Sequence, residues 1–291
     1  MEKNILKKPE WLKIKLDTSG DYSEVGKIVK ERGLHTICSS GMCPNKGECW
    51  SRGTATFMIL GEMCTRSCKF CATLTGKPTN LDSNEPAKVA ESVSLMKLKH
   101  CVITSVTRDD LPDGGANHWA DVIREVKKCN PNTTVEVLIP DFDAKKELID
   151  VVLSAAPDIV AHNIETVERL TPDVRSRAKY DVSLMALKII SDSGAVTKSG
   201  LMVGLGESDL EIQETLVDLY SAGCRIVTIG QYLRPTLKHL PVERYVNPET
   251  FEQFKQFALN LGFKYAECGP LVRSSYMADK AAAEFKCKGN D

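Results

Sequence analysis

The run Phe57-Met58-Ile59-Leu60-Gly61-Glu62-Met63-Cys64-Thr65-Arg66-Ser67-Cys68-Lys69-Phe70-Cys71 places three thiols within eight residues, directly after a short apolar stretch. Offsets of 0, 4 and 7 let a loop wrap one face of a cuboidal iron-sulfur cluster, each thiolate on a different iron, with one iron left without a protein ligand. An open coordination position separates a metal site that does chemistry from one that only braces a fold. On a helix the same offsets would form a buried stripe, but the apolar run reads as a strand, and Gly61 with the polar Thr65-Arg66-Ser67 favours a loop. Cys68 and Cys71 also form a C-x2-C pair, which with two further thiols would suit tetrahedral zinc.

Working back toward the amino terminus, Cys38, Cys43 and Cys49 form a second triplet, with four and five intervening residues. Six of the eleven cysteines therefore lie between positions 38 and 71. Two three-cysteine loops suit two clusters better than one four-coordinate zinc, although zinc with spare thiols stays open as a reading of these residues. Cys101, Cys129, Cys224, Cys268 and Cys287 are isolated and read as small core or surface residues.

Chain length bounds the architecture. With 291 residues, 42% hydrophobic and 26% charged, one compact domain with appendages is expected. The balance of 38 basic and 39 acidic residues gives a net charge of -1, and hence no global pull toward nucleic acid or anionic membrane. The opening Met1-Glu-Lys-Asn-Ile-Leu-Lys-Lys8 has no apolar signal core, and no apolar run approaches the roughly 18 residues that span a bilayer. A cytoplasmic location is expected, with reduced thiols that bind metal rather than a disulfide framework.

Beyond the cysteines the chain alternates. Apolar residues at three- and four-residue spacing predict helices over Tyr22–Arg32, Pro86–Lys99, Asn117–Lys128, Ala144–Ser154, Val182–Ser193, Asp209–Ala222 and Pro248–Leu261. Val- and Ile-rich runs bounded by Gly, Pro or Asp predict strands over Ala55–Leu60, Cys101–Val106, Thr134–Ile139, Ile159–Asn163, Val196–Val203 and Ile226–Gln231. Six strand-helix units imply a parallel α/β sheet with right-handed crossovers. Six is short of the eight in a closed barrel, so the expected fold is a partial (β/α)6 TIM-like barrel. The division expected is an amino-terminal extension over 1–53 with the second cysteine motif, the barrel over 54–262, and a carboxyl-terminal extension over 263–291. The site belongs at the carboxyl ends of the strands, where Cys64 emerges.

Several strand ends carry more polarity than packing needs. Thr107-Arg108-Asp109-Asp110-Leu-Pro-Asp113-Gly114-Gly115 reads either as an ordered polar loop or as a solvated turn. His162-Asn163-Ile164-Glu165 ends the fourth strand, and Lys198 lies in the fifth. Such groups usually face ligand or water, because burying them unpaired costs several kcal/mol. Gly204-Leu-Gly206-Glu207 is not a dinucleotide fingerprint, since Asp209 takes the place of its third glycine, but it permits close backbone approach to a ligand.

The C-x3-C-x2-C loop, with an aromatic just before its last cysteine and after the first barrel strand, resembles that of the radical S-adenosylmethionine enzymes. Within them the chain is most similar to the lipoyl synthase family. The likeness rests on the C-x4-C-x5-C motif of Cys38, Cys43 and Cys49, on Ala55-Thr-Phe-Met-Ile-Leu-Gly61, and on Arg108-Asp-Asp-Leu-Pro-Asp-Gly-Gly115. It continues through His162-Asn-Ile-Glu-Thr-Val167, Gly230-Gln-Tyr-Leu-Arg-Pro-Thr236, His239-Leu-Pro-Val242 and Arg273-Ser-Ser-Tyr276, nearly the whole chain. Thr107 stands where many members have Asp, and Ser39-Ser40 where they have acids; neither is an expected cluster ligand.

This resemblance implies two 4Fe-4S clusters and S-adenosyl-L-methionine. The cluster on Cys64, Cys68 and Cys71 would bind and reduce S-adenosylmethionine, and the resulting 5'-deoxyadenosyl radical would take hydrogen from C6 and C8 of an octanoyl chain carried on a protein lysine. Sulfur would come from an auxiliary cluster on Cys38, Cys43 and Cys49, with Ser275 as its fourth ligand; on residues alone, Ser274 or Ser275 reads instead as the cap of the helical run that follows. Arg273 would sit near that cluster or the substrate carbonyl. Phe70 would lie near the adenine, with Asn163, Glu165, Lys198 and Gly206 as candidates for the cofactor's other contacts.

The implied partners are octanoylated carrier domains, those of 2-oxoacid dehydrogenase E2 subunits and the glycine cleavage H protein, and an electron donor such as flavodoxin or ferredoxin. A monomer is expected, with no nucleic acid and no membrane. An electron carrier housing two clusters would fill every iron with cysteine and would not need a six-unit barrel. Biotin synthase lacks the Arg-Ser-Ser-Tyr tail and the early second triplet.

Overall fold

The structure is a computed structural model, which describes residues 6–13, 22–51 and 55–286; Cys287 lies outside them. The strands are β1 (His35–Thr36), β2 (Thr56–Ile59), β3 (Met63–Cys64), β4 (Leu74–Thr75), β5 (His100–Ser105), β6 (Thr134–Leu138), β7 (Ile159–Ala161), β8 (Val196–Val203), β9 (Ile226–Gln231) and β10 (Tyr265–Gly269). One eight-stranded sheet runs in the order β1-β2-β5-β6-β7-β8-β9-β10, all neighbours parallel except β1 against β2. Among the described residues its edge strands, β1 and β10, do not pair with each other, so the barrel is open there. All six predicted strands are found, extended by an antiparallel edge strand and a seventh parallel one.

Helices pack between and outside these strands. They are α1 (Tyr22–Glu31), α2 (Ile37–Ser40), α3 (Lys46–Ser51), α4 (Glu85–Leu95), α5 (Ala116–Cys129), α6 (Lys146–Leu153), α7 (Thr171–Val174), α8 (Tyr180–Asp192), α9 (Asp209–Ser221), α10 (Pro248–Leu261) and α11 (Ala278–Lys286). Their ends follow from local chemistry. Ser208 and Glu211 form a reciprocal capping box at α9, which satisfies two orphan donors. Asn247 caps α10 with Pro248 in its first turn, and Gly262 ends it in the left-handed conformation, as a helix stop requires.

Register sorts the strand side chains into two sets. Thr56 pairs with Val102, Val102 with Glu136, and Gly200 with Thr228, and these line the interior. Alternate residues Phe57, Ile103, Val137 and Val160 are fully buried outward, against Val89 and Val93 of α4 and Trp119 and Ile123 of α5. At about 25 cal/mol per Å² of apolar surface removed from water, this outer layer is the main cohesive contact of the first half of the sheet. A second core joins Leu201, Val203, Val227 and Ile229 to Leu216, Leu219, Phe251 and Phe254.

The interior is closed at one end by the chain itself. Ala281 and Ala282 of α11 pack on Ile159 and Ile226, the first residues of β7 and β9. Helix α11 therefore stops the barrel at the amino ends of its strands, and the open space is left at their carboxyl ends.

Candidate active site

The chain turns sharply into the cysteine loop after β2. Leu60 sits at φ +69° and Gly61 at φ +93°; for leucine this conformation is strained. Buried groups hold it. Glu85 Oε2 accepts from Leu60 N–H at 2.8 Å and also meets His118 Nε2 at 2.7 Å, while Arg108 Nη1 donates to Leu60 C=O at 3.1 Å. Gly115, at φ +88°, leaves room for the leucine: a Cβ there would lie 2.8 Å from Leu60 Cδ1.

Residues between the cysteines then pin the loop to the barrel rim. Arg66 donates to both oxygens of Asp109 at 2.9 Å and to both oxygens of Asp141 at 2.9 and 3.0 Å. Burial opposes ionisation of Asp141, but the Arg66 guanidinium outweighs it and holds the carboxyl down to about 2; Asp109 is lowered in the same way. Thr65 bonds Thr107 C=O and receives the N–H of Asp109. From the other side, His239 Nε2 meets Cys71 C=O at 3.0 Å and Leu240 N–H donates to Lys69 C=O. The polar loop after β5 is thus the ordered clamp rather than the solvated turn, and Asp113 within it accepts from the backbone N–H of Gly115 and Asn117 where α5 begins.

Cys64 Sγ accepts backbone N–H bonds from Arg66 at 3.4 Å and Thr107 at 3.3 Å. Such bonds stabilise a thiolate and tune a cluster. Burial pushes the Cys71 thiol up against hydrogen bonds from Thr73, and the Cys43 thiol up against the Asn45 N–H; a bound metal charge reverses that trend.

One cavity of about 580 Å³ opens at the carboxyl ends of the strands. It is lined at once by Cys38 and Cys43, by Cys64, Cys68 and Cys71, and by Phe70, Asn163, Glu165, Arg273 and Ser275. Cys49 and Lys198 are not in that lining, and Gly206 lies exposed with its carbonyl bonded to Arg169. Lys198 is instead fully buried in an ion pair with Glu136, Nζ to Oε1 2.6 Å, which meets the burial cost that pointed to a ligand. Gly206 has φ +109°; its glycine is accounted for by that backbone.

The Arg273-Ser-Ser-Tyr276 turn reaches this cavity over β9. A Cβ at Gly230 would lie 2.1 Å from Val272 C=O, so only glycine lets the segment pass. Asn45 Nδ2 donates to Leu271 C=O at 2.7 Å, Asn163 Nδ2 to Ser274 Oγ at 2.7 Å, and Thr56 Oγ1 to Ser275 Oγ at 2.9 Å. α11 begins only at Ala278, so neither serine stands at its N-cap. Burial pushes the Arg273 pKa down, opposed by Cys43.

The rest of the wall includes buried polar and charged groups among apolar ones. Glu165 holds φ +69°; burial raises its pKa, while Arg175 and Asn163 work the other way. Arg175 Nη1 bonds Ser183 Oγ at 2.8 Å, and its Nε is buried without a hydrogen-bond partner. Burial, with Arg175 nearby, drives His162 down to about 4 and keeps it neutral. Arg66, Arg175, Thr56, Asn45 and His239 were given no site role by sequence; the partners that tie them into the site lie 8 to 226 residues away.

These residues fit cluster and cofactor: two sets of thiols, N–H groups on one sulfur, and an orphaned guanidinium nitrogen in the wall. Among the described residues no three such side chains gather as ligands of a single ion, and a cuboidal cluster, which spreads thiolates over separate irons, does not require it.

Fold and site together define a radical S-adenosylmethionine enzyme, and the Radical SAM superfamily model matches residues 58–219. Methylornithine synthase superposes with a TM-score of 0.54 at 11% identity, over 86% of this chain and 82% of that one. The chain is 60% identical to a lipoyl synthase of Bacteroides fragilis (strain YCH46) over 94% of its length and 96% of the relative's. It is 58% identical to one from Phocaeicola vulgatus over 98% and 100%.

The chain belongs to the lipoyl synthase family. Its activity is insertion of two sulfur atoms at C6 and C8 of a protein-bound octanoyl-lysine, with S-adenosylmethionine and two 4Fe-4S clusters, one of which supplies the sulfur. It therefore acts on lipoyl carrier proteins. Among the described residues, no helix is long and apolar enough to cross a membrane.

Proposed function

We propose that the two cysteine loops divide the chemistry. Cys64, Cys68 and Cys71 would hold a cluster that supplies the electron for cleaving S-adenosylmethionine; Cys38, Cys43 and Cys49, with Ser275, would hold an auxiliary cluster that supplies sulfur. The observation that carries this reading is the single cavity lined by thiols of both loops and by Ser275, which lets a radical made at one wall reach a chain presented to the other.

The chain's own residues bind, orient and exclude water. Phe70 packs toward Val174, Leu205 and Tyr232 and offers a flat apolar face to the adenine. Asn163, Glu165 and the unpartnered Nε of Arg175 supply polar contacts for the cofactor. Arg273 holds the substrate end near the auxiliary loop. Lys198 supports the wall by neutralising Glu136, and Gly206 shapes the β8 end from outside it. Closely packed, largely apolar walls keep out stray hydrogen donors, which would quench a radical.

Three parts carry these tasks, the extension over 1–53, the barrel over 54–262 and the extension over 263–291. The reading also has the chain act as a cytoplasmic monomer on E2 and glycine cleavage H carrier domains, reduced by a flavodoxin or ferredoxin.

The test uses anaerobically reconstituted protein with reductant, S-adenosylmethionine and an octanoyl-lysine peptide, followed by peptide mass and iron content. Two sulfurs gained in the wild type, and cofactor cleavage without sulfur gain in Ser275→Ala, are expected. Full sulfur insertion by Ser275→Ala would remove Ser275 from the ligand set.

A further inference from the structure

We propose that Thr56 is the positioning residue for the oxygen ligand of the auxiliary cluster, holding Ser275 Oγ through its own hydroxyl; this rests on the reading of Ser275 as that ligand. Thr56 is the first residue of β2, 6% exposed, and its register with Val102 turns it into the cavity. At such a strand position a valine would pack as well, and a buried hydroxyl needs a partner. Its partner is Ser275 Oγ, 2.9 Å away and 219 residues on.

The surroundings leave this bond one task. The backbone before Ser275 is already fixed, since Leu271 C=O is held by Asn45 and Val272 lies against the bare Cα of Gly230. Ser274 is held separately by Asn163. What remains free is the Ser275 side chain, whose χ1 has three staggered wells, and the Thr56 contact selects one. Thr56 thereby aims the side chain that would serve as the ligand.

The experiment compares reconstituted wild type, Thr56→Val, Thr56→Ser and Ser275→Ala, without substrate. Iron release to a ferrous chelator is followed under reducing conditions, together with the Mössbauer spectrum of each cluster. Thr56→Val should release auxiliary iron about fivefold faster, the effect of losing one hydrogen bond, and should lose the distinct oxygen-bound iron subsite. Thr56→Ser should behave as wild type, and the cluster on Cys64, Cys68 and Cys71 should be unaffected in all variants. Fast release from Ser275→Ala with wild-type release from Thr56→Val would overturn the role of Thr56 and leave Ser275 a ligand. Wild-type release from Ser275→Ala would end both readings, and equal loss from both clusters in Thr56→Val would reduce Thr56 to a fold residue.

Discussion

The two cysteine loops carry three thiols each and face one cavity, yet they are held in different ways. The loop of Cys64 is tied to the barrel by charge: buried Arg66 spans Asp109 and Asp141, Thr65 grips the loop after β5, and His239 fixes Cys71 from behind. The loop of Cys38 and Cys43 sits on two short helices, α2 and α3, outside the barrel. Its links to the carboxyl-terminal turn include a neutral bond from Asn45 Nδ2 to Leu271 C=O and a long one from Tyr276 Oη to a Glu48 carboxylate oxygen at 3.4 Å, with no bidentate guanidinium-carboxylate pair among those described. Charge-assisted, bidentate pairs are roughly twice as strong as neutral bonds. On the proposed assignment, the loop tied by charge would hold the cluster that binds S-adenosylmethionine, and the other the cluster that gives up sulfur.

The sharpest way to break this comparison is by activity. Cys64→Ala should abolish both 5'-deoxyadenosine formation and sulfur insertion, whereas Cys43→Ala should abolish insertion and leave cofactor cleavage, read by chromatography of the nucleoside and peptide mass. Loss of cleavage in Cys43→Ala would erase the division of labour. Next in size is Arg66→Ala, which strands buried Asp141 and should cost about 3–5 kcal/mol by denaturant unfolding. A cost within about 0.5 kcal/mol of zero would mean that the barrel-side loop is not the stiffer one.

A smaller effect is set by pH. Burial depresses the His162 pKa to about 4 from an ordinary 6.5, so between these values the unfolded chain binds more protons and stability falls on acidification. Above pH 6.5 the dependence vanishes. The slope should be about 1.4 kcal/mol per pH unit, and His162→Gln should flatten it in melts at pH 7.5, 6 and 5. An unchanged slope in His162→Gln would remove His162 as its source. Smallest is Asn45→Ala, expected to cost about 1 kcal/mol while raising amide exchange at 271–276; protection there equal to wild type would show that the auxiliary side is held by something else.

Much of this was legible in the chain. Val196–Val203, Ile226–Gln231 and Pro248–Leu261 fall where periodicity and caps predict, because a long apolar pattern with a marked end outweighs local competition. Tyr265–Gly269 was not, since its Glu267 and Gly269 hide a strand that earns its place by pairing with β9. Spacing marked the two cysteine triplets, and the structure brings Cys38, Cys43, Cys64, Cys68 and Cys71 to one cavity. Lys198 drew notice as a strand charge, but its partner Glu136 lies 62 residues earlier, and no local pattern carries that pairing. Thr56 looked like any β-branched strand residue.

The bond between Asn45 and Leu271 spans 226 residues, and it has a consequence in time. At about 5–20 residues per second, a ribosome needs about 10–45 s to travel from one partner to the other. Through that interval Cys38, Cys43 and Cys49 have been synthesised but Ser275 has not. On the proposed ligand set, a nascent chain therefore carries the three thiols before the oxygen that would complete them. Charging of the auxiliary cluster would then follow translation of the turn.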